Sequence, residues 1–148
     1  MTNLWVWRFM ATTLAVGWMA YLFYLSSLPP ENLPEQQVGA LSKFVGLRDV
    51  VGHFALYGIL GSLLWLTVWS WVGQTATRLK AMVLTLLLGV LYGVSDEMHQ
   101  LFTPGRSASL LDVGVDSAGV LLSVSLWAAV FRFAVFSRPI KARGVWRT

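Results

Sequence analysis

Four long apolar stretches, separated by short polar segments, follow one another along the chain. Each contains about 20 residues, which is the helical length that crosses a bilayer core of about 30 Å. The pattern therefore predicts an all-α integral membrane bundle of four transmembrane helices, forming a single domain over residues 1–148. We expect the spans at about residues 9–28, 50–71, 80–101 and 110–131.

The first apolar stretch is predicted to be retained as a membrane anchor. It is longer than the apolar region of a typical signal peptide, about 7 to 15 residues, and no cleavage site of small residues follows it. Pro29 and Pro30 end the predicted helix, because proline lacks the amide hydrogen that a continuing helix needs.

The composition supports a membrane protein and excludes several other classes. Hydrophobic residues make up 56% of the chain and charged residues only 12%, an apolar share well above that of soluble domains. Such a chain could not cover a soluble fold with polar surface, and it does not fit a disordered chain, a coiled coil or a disulfide scaffold. Because there is no cysteine, a thiol nucleophile, a lipoprotein anchor and a cysteine-ligated metal are excluded as well.

The basic residues predict the orientation of the bundle. Eight of the eleven Lys and Arg residues lie before the first span, in the second loop or in a basic tail over residues 132–148. The positive-inside rule then places both termini in the cytoplasm of a multi-pass cell-membrane protein. The net charge is +4, and the basic tail is expected to face anionic lipid rather than nucleic acid. Four tryptophans form the expected aromatic belt at the inner interface: Trp5, Trp7, Trp69 and Trp71.

The acidic residues lie on the opposite, outer side of this predicted bundle. Both histidines lie there too, together with all seven acids: Glu31, Glu35, Asp49, Asp96, Glu97, Asp112 and Asp116. The segment over residues 29–47 joins the first two spans on the same side. It begins as a turn-rich linker, and Val38, Leu41 and Val45 then recur at helical spacing, which fits either a short interfacial helix or a loop on the outer surface.

The second span carries Asp49, His53 and Tyr57 at a spacing of four residues, so these side chains lie along one side of a helix. An aspartate one turn from a histidine can orient the ring and set its tautomer. Such a histidine could carry a proton or bind a metal. The same residues could also form hydrogen bonds between helices for packing alone.

The third span ends in the densest polar stretch of the chain, with Asp96, Glu97, His99 and Gln100. Asp96 and Gln100 share a stripe with a G-x-x-x-G motif over residues 89–93, and Glu97 and His99 flank that stripe. Glycines at this spacing let a neighbouring helix approach closely. Asp96 is therefore expected to face protein, where an ionisable group within the membrane is a functional candidate.

A Pro-Gly turn precedes the fourth span, and Arg106 follows it as the only cation of that loop. Ser107 or Ser109 could cap the next helix. Asp112 and Asp116 are four residues apart and share one side of that helix.

Three spans thus bring polar stripes to the outer half of the bundle. In one interpretation the stripes form a buried network in which Arg106 pairs with Asp112 or Asp96. In the other, acids outnumber the single arginine, and protonation, water, a metal ion or a cationic ligand must offset the excess charge.

These motifs resemble those of the VanZ-like family of small membrane proteins. The resemblance covers roughly Asp49 to Leu122, through "RDVVGHFALYGILG", which begins at Arg48, and "YGVSDEMHQLFTPGRSASLLDVGVDSAGVLL". The chain departs from the family pattern at Val50, where lysine is frequent, and at Asp116, where asparagine is frequent. The family is named for a protein linked to resistance to teicoplanin, a lipid-tailed glycopeptide. The resemblance implies a role at the outer face of a bacterial membrane and supplies no catalytic assignments.

The combined pattern predicts an outer-leaflet site that binds or modifies a lipid-linked or amphipathic envelope molecule. If the protein is an enzyme, it would be a hydrolase or transferase acting on a lipid-linked substrate. The candidate catalytic residues are His53, Glu97 and Asp96, and the candidate substrate-binding residues are Arg106, Tyr57, Gln100 and His99. A divalent metal is a possible cofactor, with Asp49, Asp112 and Asp116 as its candidate ligands.

Two other functions fit the sequence. In the first, the protein is a non-enzymatic binding or structural protein whose polar cluster only stabilises the bundle. In the second, it transports protons or ions. We rank transport last, because no titratable residue continues from Asp116 or Tyr57 to the cytoplasmic side.

Overall fold

The computed structural model describes residues 4–33, 45–72 and 77–136. Within these ranges the chain is all-helical, and four helices are long and apolar enough to span a membrane, which confirms the predicted fold class. They are α1 (Leu4–Ser26), α2 (Val45–Val72), α3 (Arg78–Gln100) and α4 (Leu110–Phe136), with a short 3₁₀ turn at Pro30–Asn32. The predicted interfacial helix near Val38 and Leu41, and the tail beyond residue 136, lie outside the described residues.

Helix α1 begins five residues before the predicted span and continues through Arg8. The Nε atom of Arg8 donates a hydrogen bond to the carbonyl oxygen of Ser70, 2.9 Å away. The guanidinium carbon lies 5.1 Å from the ring centroids of both Trp5 and Trp71, close enough for cation–π attraction. The contacts with Ser70 and Trp71 at the end of α2 stabilise the charged Arg8 near the start of α1.

Helices α2 and α4 approach each other closely through small residues. A Cβ atom placed on Gly119 would lie 2.5 Å from the carbonyl oxygen of Phe54 and 3.0 Å from the backbone nitrogen of Gly58. The hydroxyl of Ser123 donates to the Gly58 carbonyl oxygen at 2.5 Å. Small residues permit this backbone approach, which strengthens packing where lipid gives no hydrophobic drive.

The predicted G-x-x-x-G motif of α3 lies against α4 within the same chain. A Cβ atom on Gly89 would lie 2.8 Å from both methyl groups of Val120. One on Gly93 would lie 3.4 Å from Asp116 Oδ2 and 3.4 Å from Tyr57 Cε1. The motif therefore leaves room for polar and aromatic side chains in the middle of the bundle.

The turn between α3 and α4 packs against the end of α1. Thr103 donates its hydroxyl hydrogen to the carbonyl oxygen of Ser26 at 3.0 Å. Gly105 has a φ angle of 78°, which favours glycine because a side chain is strained in this region. A Cβ atom there would also lie 3.2 Å from the Pro30 ring. This docking closes one end of the bundle around the polar stripes of three helices.

Candidate functional site: a polar cavity at one end of the bundle

A cavity of about 210 Å³ lies between the end of α1, the start of α2, the end of α3 and the start of α4. Its polar lining residues are Ser26, Asp49, His53, Tyr57, Asp96, Gln100, Arg106, Ser107 and Asp112. Its apolar lining residues include Leu22, Leu25, Pro30, Leu33 and Leu56. The cavity therefore offers contacts both to polar groups and to an alkyl segment.

His53 on α2 and Asp116 on α4 form the central polar contact. His53 Nδ1 lies 3.0 Å from Asp116 Oδ1, and the side chain of Asp116 is only 1% exposed while that of His53 is 19% exposed. The imidazole, which is mostly buried, reaches the cavity, whereas the carboxylate does not line it. Spacing within α2 could not identify this partner, because Asp116 comes from another helix.

Glu97 on α3 fixes the start of α4. Its Oε2 atom accepts a hydrogen bond from the backbone N–H of Ser109 at 2.6 Å. The Ser109 hydroxyl in turn accepts from the backbone N–H of Asp112 at 3.2 Å, so Ser109 rather than Ser107 caps the helix. A carboxylate next to a helix N-terminus is stabilised by the unpaired amides and the helix dipole there.

Asp96 and Gln100 are buried neighbours on α3, and both line the cavity. Gln100 Nε2 donates to Asp96 Oδ2 at 3.3 Å. Tyr57 packs in the middle of the bundle beside them and is 1% exposed. The predicted stripe of Asp96 and Gln100 thus faces the interior of the protein.

Buried oxygen atoms without a hydrogen-bond partner concentrate around these residues. Among the described residues they are Tyr57 Oη, Asp96 Oδ1, Glu97 Oε1 and Asp116 Oδ2. Each such group costs about 1–3 kcal/mol when it is left unpaired in a protein interior. A group of them in one region is typical of a place that takes up water, an ion or a polar ligand.

Arg106 is bonded to the end of α1. Its Nε atom donates to the carbonyl oxygen of Leu28 at 3.2 Å, and one Nη atom donates to that of Leu25 at 3.0 Å. The carbonyl oxygens at the C-terminal end of a helix carry partial negative charge and attract a cation, which explains why Arg106 bonds here. The structure thus shows these bonds in place of the pairing with Asp112 or Asp96 that one interpretation of the sequence proposed. The side chain still borders the cavity.

His99 lies apart from the cavity, against α1. Its Nε2 atom is 3.0 Å from the hydroxyl oxygen of Ser27, and its ring stacks on Phe23 with centroids 4.3 Å apart. One residue of helix turns a side chain by about 100°, so His99 and Gln100 face different neighbours. The structure therefore separates His99 from the other sequence-predicted substrate-binding residues.

One group of side chains in the described part of the chain could hold a metal ion. His53, Glu97 and Asp116 each offer one ligand atom, and these atoms lie within 4.8 Å of one another. Of the ligands predicted from the sequence, this group contains Asp116, while Asp49 and Asp112 line the cavity instead. Helical spacing shows which residues share a helix face, but it does not show which residues of separate helices meet.

Comparison with known proteins adds a family match. The family model described as VanZ/LLP1 matches residues 11–132. The match includes every residue that lines the cavity and all three members of the potential metal-binding group. No curated protein and no solved structure matches the chain.

Proposed function

The chain belongs to the VanZ/LLP1 family, and we propose that its cavity binds the polar part of a lipid-linked or amphipathic envelope molecule at the outer face of the membrane. The observation that carries this proposal is the mixed lining of the cavity. Carboxylate, amide, imidazole and phenol groups line it together with leucine and proline side chains. A molecule with a polar group joined to an alkyl chain matches both kinds of lining residue.

The position of the cavity along the bundle supports an outer-face site. It lies at the end of the bundle that is opposite to Arg8, Arg78 and Lys80. Under the positive-inside rule those basic residues are cytoplasmic, as are both termini. The cavity would then open at the level of the outer headgroups, where lipid-linked envelope molecules present their polar parts.

The charge of the site favours a ligand that donates hydrogen bonds or carries positive charge. Asp96 and Asp112 line the cavity, and Glu97 and Asp116 lie close to His53. Among the residues that the structure describes, Arg106 is the cation that lines the cavity, and two of its N–H groups already donate to the Leu25 and Leu28 carbonyl oxygens. Amine, amide and hydroxyl groups of a headgroup or a glycopeptide complement such a surface.

The family resemblance makes teicoplanin the first ligand to test. We expect expression of the chain in a teicoplanin-susceptible bacterium to raise the inhibitory concentration of teicoplanin more than that of a glycopeptide without a lipid tail. Asp96→Asn and Tyr57→Phe should remove this protection while the amount of protein in the membrane stays constant. Ser125→Ala, an exposed position on α4, is the control and should retain full protection.

The same experiment tests the alternative in which the polar residues only stabilise the bundle. Glu97 at the start of α4 and Arg106 at the end of α1 give that alternative a specific basis. If the alternative holds, Asp96→Asn and Tyr57→Phe will lower the level of folded protein in parallel with any loss of protection. If both variants instead give full protection against teicoplanin, that result would contradict the proposed binding site.

A further inference from the structure

We propose that His53, Glu97 and Asp116 form a binding site for one divalent transition-metal ion, with Zn²⁺ and Mn²⁺ as the best matches. The three residues come from α2, α3 and α4 respectively, and their ligand atoms lie within 4.8 Å of one another. One ion could therefore link three of the four helices. This site does not depend on what the neighbouring cavity binds.

The donor set fits such an ion in type and in charge. Imidazole nitrogen suits zinc and other transition metals, and carboxylate oxygen suits manganese as well. Three protein ligands are also the usual number in zinc sites that keep a position open for a further ligand. Two carboxylates and a neutral imidazole together balance the charge of a dication, which removes the large cost of unpaired charges in a membrane interior.

The hydrogen bonds of the two carboxylates provide an independent observation. Glu97 is 4% exposed, and Asp116 is 1% exposed. Each uses one oxygen to hold a protein partner, with Glu97 Oε2 bonded to Ser109 and Asp116 Oδ1 bonded to His53. The second oxygen of each, Glu97 Oε1 and Asp116 Oδ2, has no partner.

This arrangement resembles the way proteins prepare metal ligands. One atom of a ligand side chain is fixed by a second hydrogen bond, which orients the other atom toward the ion. The backbone N–H of Ser109 orients the Glu97 carboxylate, because Ser109 is itself held in place as the cap of α4. His53 also borders the cavity, so a bound ion would lie next to that space.

The test is a titration of the full chain, purified in detergent with an affinity tag that contains no histidine. After treatment with a chelator, ZnCl₂ and MnCl₂ are added separately and the heat of binding is measured, with MgCl₂ as a comparison. We expect one Zn²⁺ or Mn²⁺ to bind per chain. Mg²⁺ should bind more weakly, because it prefers oxygen ligands to an imidazole nitrogen. His53→Gln and Asp116→Asn should each weaken metal binding by more than about tenfold, because even the loss of a hydrogen-bond partner behind a ligand weakens binding by about that much.

Two matched controls distinguish this site from adventitious binding. His99→Gln removes the other histidine of the chain, and Glu31→Gln removes an exposed acid near the same end. Both variants should bind the metal ion with the affinity of the unmodified chain. An equal loss of metal affinity in His53→Gln and His99→Gln would overturn the proposal. The absence of a saturable metal site in the unmodified chain would also overturn it.

Two further measurements cover the case in which a variant fails to fold. Glu97→Gln retains an oxygen that can accept the Ser109 hydrogen bond, so we expect it to fold and still lose metal affinity. Electron paramagnetic resonance of Mn²⁺ on the unmodified chain should show coupling to a histidine nitrogen, and His99→Gln should show the same coupling. A Mn²⁺ spectrum without nitrogen coupling would contradict the assignment of His53.

Discussion

His53 Nδ1 and Asp116 Oδ1 lie 3.0 Å apart across the contact between α2 and α4. Gly119, where α4 comes close to the backbone of α2 at Phe54 and Gly58, is one helical turn from Asp116. The polar pair is therefore held by a part of the backbone that has little room to adjust. The contact between α2 and α4 therefore determines both how these helices pack and where the His53–Asp116 pair lies.

Replacement of Asp116 tests how much this pair contributes to stability. Asp116→Ala leaves the imidazole of His53 without this partner, and we expect a loss of about 1–3 kcal/mol in the free energy of unfolding. Asp116→Asn retains a hydrogen-bond acceptor and should lose less. Thermal unfolding of both variants in detergent, with chelator present, measures the difference, and equal stability of the alanine and asparagine variants would contradict this role.

Gly119→Ala should destabilise the bundle, because the new Cβ would meet the Phe54 carbonyl oxygen at 2.5 Å. The obstacle is backbone rather than a flexible side chain, so the helices must separate, at a cost of about 1–3 kcal/mol. Gly114→Ala is the matched control on the same helix, with nothing within 4 Å of the added atom. It should be as stable as the unmodified chain or more stable by up to about 1 kcal/mol, because alanine favours a helix more than glycine does. A similar effect of both changes would show that the α2–α4 approach is looser than described.

The positions of the four helices could be predicted from the sequence, because a span needs about 20 apolar residues whatever its neighbours are. The start of α1 could not be predicted in this way. Arg8 interrupts the apolar pattern, and the groups that accommodate it, the Ser70 carbonyl and the Trp71 ring, are distant in the chain. Such partners become visible only once the helices are packed.

The candidate site also has features that the sequence predicts and contacts that depend on how the helices pack. Helical spacing correctly groups Asp49, His53 and Tyr57 on one face, and all three line the cavity. It does not reveal that Arg106 bonds to the end of α1 or that Glu97 holds the start of α4. These contacts depend on which loop docks on which helix, and a single sequence carries no periodic signal for that.

Arg106→Gln should loosen the docking of the α3–α4 turn on α1. Hydrogen bonds to charged groups contribute about 1.5–3 kcal/mol, and this change removes the bonds to the Leu25 and Leu28 carbonyls. We expect a lower unfolding temperature and faster hydrogen exchange over residues 26–33. Lys80→Gln, an exposed cation at the other end of the bundle, should change neither. An Arg106→Gln variant that loses ligand binding but keeps its stability would instead assign this arginine to the ligand.

The proposed orientation can be tested with single cysteines, because the chain contains none. Ala108→Cys lies in the turn beside the cavity and Thr77→Cys lies at the start of α3, and both positions are exposed. A maleimide that cannot cross membranes should label Ala108→Cys in intact cells and Thr77→Cys only after the cells are opened. The opposite pattern would place the cavity at the cytoplasmic face.

The most direct test of the central claim is native mass spectrometry of the chain released from bacterial membranes, which detects amphiphiles that stay bound. Ser107 is exposed and lines the cavity, while the exposed neighbour Ala108 does not line it. We expect a retained amphiphile on the unmodified chain and on Ala108→Trp, and its loss from Ser107→Trp, whose indole would narrow the cavity mouth. The same bound species at the same occupancy on all three proteins, or none on the unmodified chain, would contradict the account.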